Sequence, residues 1–312
     1  MSTLIEVQNL NVQFKSNRNI IYAVNNLSFS LQKNEILAII GESGCGKSVT
    51  CKSLLRLNNA YKESGDIYLN DQLISNYSDK EFFEIRGRKI SMIFQDPGSS
   101  LNPLIKIGHQ ISEVIQLHSN LNKNDAYEKG IEVLKQLGIP NPSLKMQEYP
   151  HQQSGGINQR ILIALACSCN PDVLIADEPT ASLDVTIQKQ ILEIFINLKK
   201  QRSLIFVTHD LGVVKEIADR VIILYQGMLM EEGNKSEIFS KSNHPYTKAL
   251  LDSTPLFNES KYILEGEPTT NTKLIPGCPF ENRCPNKIGE ICEKSIPSLT
   301  KKNTNVRCHL YT

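Results

Sequence analysis

The alternation of apolar and polar positions predicts short β-strands along most of the chain. Ile36–Ile40 is an unbroken apolar run, as expected for a strand that is buried on both faces of a parallel sheet. Other short β-like runs recur between turn residues. The predicted strands are Ile5–Phe14, Asn26–Leu31, Ile36–Ile40, Asp66–Leu69, Lys89–Phe94, Val173–Ala176, Leu204–Thr208 and Val221–Leu224.

Longer stretches with apolar residues at helical spacing lie between these strands. Because strands alternate with helices, the sequence predicts an α/β layer architecture with a mostly parallel sheet. The predicted helices are Ser48–Leu57, Gly108–Leu117, Lys123–Leu137, Gln159–Cys167, Thr186–Gln201 and Val213–Ala218.

The same pattern predicts the domain organisation. From about Asp96 to Leu165 the periodicity is helical, so we expect a helical subdomain, about residues 96–165, inserted in the sheet domain. After about Phe239, Pro, Asn, Lys, Thr and Cys become more frequent and regular periodicity fades. We therefore predict a domain over residues 1–240 and a small, loop-rich, cysteine-containing extension over residues 241–312. A length of 312 residues agrees with about two structural units.

Composition and charge exclude several classes of protein. Lys and Arg total 34 against 33 Asp and Glu, and a net charge of +1 argues against general electrostatic binding of nucleic acid or anionic lipid. Apolar runs such as Ile161–Cys167 are far shorter than the ~20 residues that span a bilayer. The stretch Met1–Leu10 lacks the basic start and apolar core of a signal peptide, so we do not expect secretion.

The turn after Ile36–Ile40 carries the first candidate chemistry. All fixed positions of the pattern G-x-x-x-x-G-K-S/T are matched by Gly41-Glu42-Ser43-Gly44-Cys45-Gly46-Lys47-Ser48. Glycines let successive backbone N–H groups turn toward phosphate oxygens, and the following helix directs its positive end to the same place. We expect Lys47 to reach the β- and γ-phosphates and the Ser48 hydroxyl to bind Mg²⁺.

A second apolar strand, Val173–Ala176, ends in the acid pair Asp177 and Glu178. At the carboxyl edge of an open α/β sheet, the first acid would join the Mg²⁺ shell. Glu178 could then take a proton from the water that attacks the γ-phosphate. An acid pair after an apolar strand is common and by itself indicates no function. Together with the phosphate loop, it is a strong indication of nucleotide hydrolysis.

Four more elements narrow the class. Gln95 follows one strand, Ser154-Gly155-Gly156 opens a helix, Ser182-Leu183-Asp184 follows the acid pair, and Thr208-His209-Asp210 ends another strand. In this order, with the phosphate loop and the acid pair, they resemble the ATP-binding subunit of an ABC (ATP-binding cassette) transporter over roughly residues 4–240. The resemblance implies a P-loop NTPase core with a mostly parallel sheet, an N-terminal antiparallel β part and a helical insertion.

The resemblance also implies roles. Residues Gly41–Ser48, Val49, Gln95, Asp177 and Glu178 would serve this chain's own ATP, with Ser48, Gln95 and Asp177 around Mg²⁺. His209 would contact the γ-phosphate. Family members pair head to tail, so Ser154, Gly155 and Gly156 would cap the nucleotide of a partner ATPase, and Asp184 would transmit between the two sites.

Two further positions concern the adenine ring and the start of the Ser-Gly-Gly helix. An aromatic residue usually stacks on adenine in this family, and Phe14 is the candidate, with Tyr22 as the alternative. The family usually has Leu before Ser-Gly-Gly, whereas here Gln153 precedes it and Ile157-Asn158 follow. The Ser and both glycines are retained, so we expect phosphate binding to persist there.

Further stretches resemble one branch, the oligopeptide, dipeptide and nickel importers. The stretches that match are Ile93-Phe94-Gln95-Asp96-Pro97, Ser100-Leu101-Asn102-Pro103, Tyr149-Pro150-His151-Gln152, His244-Pro245-Tyr246-Thr247-Lys248-Ala249-Leu250-Leu251, Gly277-Cys278-Pro279-Phe280 and Arg283-Cys284-Pro285. The sequences Ile175-Ala176-Asp177-Glu178-Pro179-Thr180 and Leu183-Asp184-Val185-Thr186 favour the subunit lettered D over its F partner. We expect His151 and His244 to make structural hydrogen bonds.

Four cysteines near the carboxyl end predict a metal centre. Cys278, Cys284, Cys292 and Cys308 are spaced more widely than the tight C-x2–4-C hairpins of structural zinc sites. Thiolates select zinc or iron–sulfur clusters, and the branch resemblance favours a four-iron, four-sulfur (4Fe-4S) cluster, with zinc or free thiols as alternatives. The centre would be structural, because this extension has little apolar content.

The sequence therefore predicts an ATPase that energises binding-protein-dependent import of peptides, with nickel or a metal chelate as the next solute. Its partners would be a paralogous F-type ATPase, two membrane permeases and an extracytoplasmic solute-binding protein, with no nucleic acid. It would lie peripherally on the cytoplasmic face of the cell membrane. The alternative, a soluble ABC ATPase acting on nucleic acid or ribosomes, predicts a second cassette, a long coiled-coil insertion or a basic face, and the sequence has none of these.

Overall fold

The computed structural model describes residues 2–16, 19–181, 183–254, 266, 272 and 274–312. The chain divides into two compact units, one formed by Met1–Asn76 with Phe206–Thr312 and the other by Tyr77–Ile205. Across these described ranges, no helix is both long enough and apolar enough to cross a membrane.

The first unit begins with a four-stranded antiparallel sheet in the order β2-β1-β4-β5. Its two long strands pair as a hairpin whose register shifts several times, and alternate residues such as Ile5 and Val7 are buried. The strands are β1 (Thr3–Ser16), β2 (Asn19–Gln32), β4 (Lys62–Leu69) and β5 (Gln72–Leu73).

The first unit also contains strands in the order β11-β12-β10-β9-β3. All five residues of β3 are buried, and β3 pairs in parallel with β9, which confirms the interpretation of Ile36–Ile40. The strands are β3 (Ile36–Ile40), β9 (Arg220–Tyr225), β10 (Met228–Asn234), β11 (Leu299–Lys301) and β12 (Asn305–Arg307). The helices are α1 (Lys47–Ser53), α9 (Leu211–Ile217), α10 (Lys235–Lys241), α11 (Pro245–Asp252) and α12 (Ile291–Lys294).

The segment after residue 240 packs on the sheet strands of this unit. Strand β12 pairs with β10, and Tyr246 and Phe280 belong to a buried cluster that includes Ile40 of β3. The fully buried carboxylate of Glu231 in β10 accepts hydrogen bonds from the N–H groups of Asn243 and His244. The predicted boundary near residue 240 stays a prediction, but the segment shares its core with residues that precede it.

The second unit contains parallel strands and most of the helices. Strand β7 lies between β6 and β8, with Ile93 of β6 level with Ala176 of β7. The strands are β6 (Ile90–Ile93), β7 (Val173–Asp177) and β8 (Ser203–Val207), of which β8 continues into the first unit. The helices are α2 (Asp79–Phe83), α3 (Pro97–Ser100), α4 (Ile107–His118), α5 (Lys123–Gln136), α6 (Pro142–Lys145), α7 (Gly155–Cys167) and α8 (Val185–Leu198).

Residues 96–165, all of which are described, contain helices and turns without a strand. The predicted α/β class, with an antiparallel sheet and a mostly parallel sheet, is confirmed. The limits 1–240, 96–165 and 241–312 remain predictions.

Candidate nucleotide-binding site

The phosphate loop lies between β3 and α1, as the sequence predicts. Gly46 directly precedes α1 with φ 101°, a backbone conformation that favours glycine. A Cβ atom on Gly46 would lie 2.4 Å from the carbonyl oxygen of Ala23, and one on Gly41 would lie 2.2 Å from that of Leu224. The loop therefore passes so close to neighbouring backbone that these two positions require glycine.

Lys47 is buried beneath the loop. Its Nζ atom donates to the carbonyl oxygens of Gly41 and Glu42, at 2.8 and 3.0 Å. The ammonium group is thus held by carbonyl oxygens of the loop itself, and a bound phosphate would compete with them for it. Ser48 and Val49 follow in the first turn of α1 and are half-buried.

The other loop residues differ in exposure. Ser43 and Gly44 are exposed, whereas Cys45 is buried with its Sγ atom 3.9 Å from Nζ of Lys47. Burial raises the pKa of the Cys45 thiol, although the nearby ammonium acts in the opposite direction. Cys45 is therefore a packing residue of the loop, kept as a neutral thiol.

His209 follows β8 in the first unit and is exposed. The residues on either side fix its position: the N–H of Thr208 donates to the carbonyl of Ile39 at 3.4 Å, and Asp210 caps α9 by accepting from the N–H groups of Gly212 and Val213. His209 thus stands at a strand end with an anchored backbone, as expected for a residue that contacts a ligand.

In the second unit, the structure brings Gln95 and Glu178 together. Because β6 and β7 are parallel neighbours, their carboxyl ends lie side by side, and Nε2 of Gln95 donates to Oε2 of Glu178 at 3.4 Å. Glu178 has φ 48°, a left-handed conformation that is uncommon for a residue with a side chain. Such backbone strain concentrates at functional sites. Asp177, the last residue of β7, is buried.

Ser154 is the N-cap of α7, and its hydroxyl accepts from the N–H of Ile157 at 3.4 Å. Ser154 and Gly155 are exposed, and a Cβ atom on Gly155 would meet nothing within 4 Å. Gly156 lies against Ile187, where a Cβ atom would be 2.7 Å from its Cγ2. The start of α7 is therefore an open surface.

Two of the three residues that depart from the family pattern beside Ser154 bond to residues before the helix. Gln153 donates to the carboxylate of Glu148 at 2.7 Å, and Asn158 donates to the carbonyl of Pro150 at 2.9 Å. Neither side chain hydrogen-bonds to Ser154 or Gly155 in these contacts.

Asp184 is the N-cap of α8 and accepts from the N–H groups of Thr186 and Ile187, both at 3.0 Å. This capping role accounts for an aspartate at position 184. Its role in transmission between two nucleotide sites remains a prediction. Ser182 of the same motif lies outside the described residues.

The two aromatic candidates for adenine lie on the β1–β2 hairpin. Phe14 pairs with Ile21, and Tyr22 pairs with Gln13, so the two aromatic side chains lie on opposite faces of the hairpin. Both are half-buried. One adenine ring can therefore stack on only one of them.

The four carboxyl-terminal cysteines line one small cavity in the first unit. Burial raises the pKa of Cys278 to about 12, and the neighbouring cysteines add to this increase. Burial also raises the pKa values of Cys284 and Cys308. Among the residues that the structure describes, no three His, Cys, Asp or Glu side chains are arranged to hold a single metal ion.

The two histidines make structural contacts, as predicted. Nδ1 of His244 accepts from the N–H of Tyr246 at 3.0 Å, and burial lowers the pKa of His244 to about 3. Nδ1 of His151 lies 3.0 Å from the carbonyl oxygen of Pro103.

Sequence reasoning missed two residues that contact the loop. Arg283 binds the Glu42 side chain, and the Tyr246 hydroxyl accepts from the Glu42 N–H. Both occur in stretches that match the importer branch, but no spacing rule links positions that are more than 200 residues apart in the chain.

Comparison with known proteins agrees with these features. The family profile "ABC transporter" matches residues 24–181, and "Oligopeptide/dipeptide transporter, C-terminal region" matches residues 230–292. A third, "AAA domain, putative AbiEii toxin, Type IV TA system", matches residues 149–215.

Relatives cover nearly the whole chain. It is 44% identical over 320 residues to the dipeptide transport ATP-binding protein DppD of Bacillus subtilis strain 168, covering 99% of this chain and 95% of that protein. It is 41% identical over 300 residues to the oligopeptide transport ATP-binding protein OppD of Escherichia coli strain K12, covering 94% and 89%. A solved structure of the ATP-binding cassette MJ0796, described as a dimer bound to ADP and Pi, superposes with a TM-score of 0.67 at 26% identity, covering 74% of this chain and 99% of that one.

The fold, the phosphate loop and these matches define an ATPase of the ABC-transporter class, with ATP and Mg²⁺ as its ligands. Within that class, the chain belongs to the family of oligopeptide and dipeptide transport ATP-binding proteins. The predicted resemblance to D-type subunits is thereby confirmed.

Proposed function

We propose that this chain hydrolyses ATP to energise the import of peptides across the cytoplasmic membrane. The observation that carries this proposal is the end-to-end match to DppD, including the carboxyl-terminal region, in a chain that retains the phosphate loop and both acids. The names of the two relatives specify dipeptide and oligopeptide transport, and neither specifies nickel. Peptides are therefore the proposed solute.

Different residues would bind the phosphates and the Mg²⁺ ion of one nucleotide. The amides of Gly41–Ser48 and the ammonium of Lys47 would bind the phosphates. The hydroxyl of Ser48, the carboxylate of Asp177 and the amide oxygen of Gln95 are hard oxygen donors that suit Mg²⁺, which typically takes few protein ligands and keeps several waters.

Glu178 would act as the general base toward the attacking water. Its hydrogen bond from Gln95 orients the carboxylate at the end of β7, where its backbone is already strained. His209 would contact the γ-phosphate from its anchored strand end.

We further propose that the exposed start of α7 faces the nucleotide of a second ATPase. Ser154 and Gly155 are open on this surface, and a helix amino terminus with exposed N–H groups favours an anion. The similar cassette MJ0796 is described as a dimer. For this chain the partner would be a paralogous F-type subunit, and Asp184 would link the two sites.

The surface around Gln95 is suited to the membrane permeases. Phe94 is partly exposed, and Leu104 is 83% exposed on a loop that Gln110 holds by hydrogen bonds to Asn102 and Ile105. Exposed apolar side chains on a fixed loop are typical of protein-binding surfaces.

A cavity of about 520 Å³ lies in the same unit between α4 and α5, lined in part by Lys106, His109, Glu113 and Tyr127. Two permeases would dock on this region, and an extracytoplasmic binding protein would deliver the solute to them. The chain would then lie peripherally on the cytoplasmic face of the membrane.

The four cysteines would hold a 4Fe-4S cluster. Four thiols around one cavity have the donor chemistry of such a cluster, which would stabilise the fold of a segment with little apolar content. Structural zinc sites usually contain tight C-x2–4-C hairpins, which these four cysteines lack, so we propose the cluster ahead of zinc.

Purification under anaerobic conditions tests the cluster. We expect about four iron and four sulfide per chain and a brown colour, both lost in Cys292→Ser and retained in Cys169→Ser, which changes a cysteine of the second unit. Wild-type protein that contains zinc and no iron would contradict the cluster while leaving the ATPase proposal untouched.

Purification of the chain from membranes tests the proposed function as a whole. We expect two permeases and a second ATP-binding subunit to co-purify, and Mg²⁺-dependent ATP hydrolysis to increase when a peptide-loaded binding protein is added. Co-purification with ribosomal or nucleic-acid-binding proteins in place of permeases would favour the soluble alternative.

A further inference from the structure

Glu42 is the second residue of the phosphate loop, and side chains from the segment after residue 240 bind it. Nη1 and Nη2 of Arg283 donate to the two carboxylate oxygens of Glu42, at 2.7 and 3.0 Å. The side chains are only 9% and 21% exposed, respectively. A bidentate pair of this kind fixes orientation as well as charge.

The backbone of Glu42 is fixed as well. Its N–H donates to the hydroxyl of the buried Tyr246 at 3.0 Å, and its carbonyl accepts from Nζ of Lys47. The same carbonyl accepts from the N–H of Cys45 at 3.3 Å. The position of Glu42 therefore determines where Lys47 and the middle of the loop lie.

Arg283 is itself held by a buried aromatic cluster. Its guanidinium lies 5.8 Å from the ring centre of Tyr225 and donates to the Tyr225 hydroxyl at 3.2 Å. Tyr225 packs against Tyr246 and Phe280, with ring centres 4.7 and 5.4 Å away. Arg283 directly precedes Cys284 in the chain, so the position of that cysteine constrains the backbone of Arg283.

The charge of the pair bears on nucleotide binding. Glu42 places a carboxylate in the loop that would receive a triphosphate, and a negative charge there would repel the phosphates. Arg283 neutralises that carboxylate. Without Arg283, a half-buried negative charge would remain beside the phosphate site and would weaken ATP binding.

We propose that Arg283 and Tyr246 are positioning residues of the phosphate loop, through which the carboxyl-terminal segment sets the affinity for ATP. This inference rests on the proposed function, because it takes ATP as the ligand of the loop. It adds a contact from a distant segment that the loop motif alone does not contain.

Competition between ATP and a fluorescent trinitrophenyl-ATP probe, with Mg²⁺ and the full chain, tests this inference. We expect Arg283→Gln to weaken ATP binding about tenfold, which corresponds to about 1.4 kcal/mol. The double variant Glu42→Gln/Arg283→Gln should regain most of the affinity because it leaves no unpaired carboxylate. The control Lys287→Gln removes a cation of the same segment that pairs with Glu281 and Glu293, and it should bind ATP like wild type.

Kinetics of the assembled transporter separate positioning from general damage. In Arg283→Gln the KM for ATP should rise about tenfold while kcat at saturating ATP stays within about twofold. Tyr246→Phe, which removes only the hydroxyl, gives a second variant should Arg283→Gln fold poorly, and we expect ATP binding to weaken about threefold.

Three outcomes would overturn the inference: unchanged ATP affinity in folded Arg283→Gln and Tyr246→Phe, a double variant as weak as Arg283→Gln, or an equal loss in Lys287→Gln. A wild-type chain that does not bind ATP would instead overturn the proposed function.

Discussion

The phosphate loop in the first unit and the candidate catalytic residues in the second unit are built differently. Lys47 is buried, and Glu42 is fixed through its side chain, its N–H and its carbonyl. In the second unit, Gln95 and Ser154 are exposed, and the hydrogen bonds of their side chains, to Glu178 and from the N–H of Ile157, are both 3.4 Å long. The loop is thus fixed in position before ATP binds. Gln95 and Ser154 are less constrained, which suits side chains that contact a nucleotide during hydrolysis or after a partner ATPase binds.

This difference predicts that substitutions in the two regions change different constants. Changes in the loop should act on ATP affinity and stability, and changes in the second unit should act on turnover. Interactions made only in the transition state appear in kcat, while uniform binding appears in KM.

The largest effect is expected for Glu178→Gln. Loss of a positioned general base lowers turnover by about 10²- to 10⁴-fold, and ATP affinity should be retained because the loop is unchanged. The measurement is steady-state ATP hydrolysis by the assembled transporter. Glu193→Gln, an exposed position on α8, is the control. A loss of less than about fivefold would show that Glu178 is not the base.

Gly46→Ala should destabilise the folded protein through the phosphate loop. The added Cβ would meet the carbonyl oxygen of Ala23 at 2.4 Å with φ at 101°, and we expect about 2–4 kcal/mol of lost stability. Gly44→Ala is the matched control, because Gly44 has φ 77° but no atom within 4 Å of an added Cβ, so it should lose only about 1 kcal/mol. Denaturant unfolding without nucleotide compares them, and equal losses would contradict the close approach at Gly46.

Ser154→Ala tests the surface assigned to the partner's nucleotide. Removing one hydrogen bond to a charged phosphate should lower turnover of the assembled transporter about 10- to 100-fold, while the isolated chain binds ATP as before. Ser154→Thr keeps a hydroxyl and an N-cap, and it should retain most of the turnover. Weaker ATP binding by the isolated Ser154→Ala chain would place Ser154 at its own nucleotide instead.

The smallest effect is expected for substitution of the aromatic residue that stacks on the adenine ring. If the ring stacks on Phe14, Phe14→Ala should weaken ATP binding by about two- to tenfold and leave GTP and ATP less well distinguished. Tyr22→Ala, on the opposite face of the hairpin, should have little effect. Competition binding with both nucleotides measures this, and the reverse result would assign the stacking to Tyr22.

Much of the site could be predicted because its determinants are local. The loop follows from contiguous glycines between an apolar run and a helix, and the contact of Gln95 with Glu178 follows once their strands are neighbours in a parallel sheet. Resemblance to a family supplied the assignment of these residues to one nucleotide.

The carboxyl-terminal segment was harder to predict because its structure depends on distant partners. Glu231 of strand β10 is a charged residue that is fully buried, because Asn243, His244 and Thr304, which lie further along the chain, donate to its carboxylate. The contact of Arg283 with Glu42 joins residues 241 positions apart, and no periodicity connects them.

The most direct test of the account is the fate of radiolabelled ATP in the assembled Glu178→Gln transporter with Mg²⁺. The complex should retain ATP uncleaved, because the first unit still binds it and the second unit no longer activates water. Release of ADP and phosphate at the wild-type rate, or failure to retain any nucleotide, would contradict the division between binding and hydrolysis.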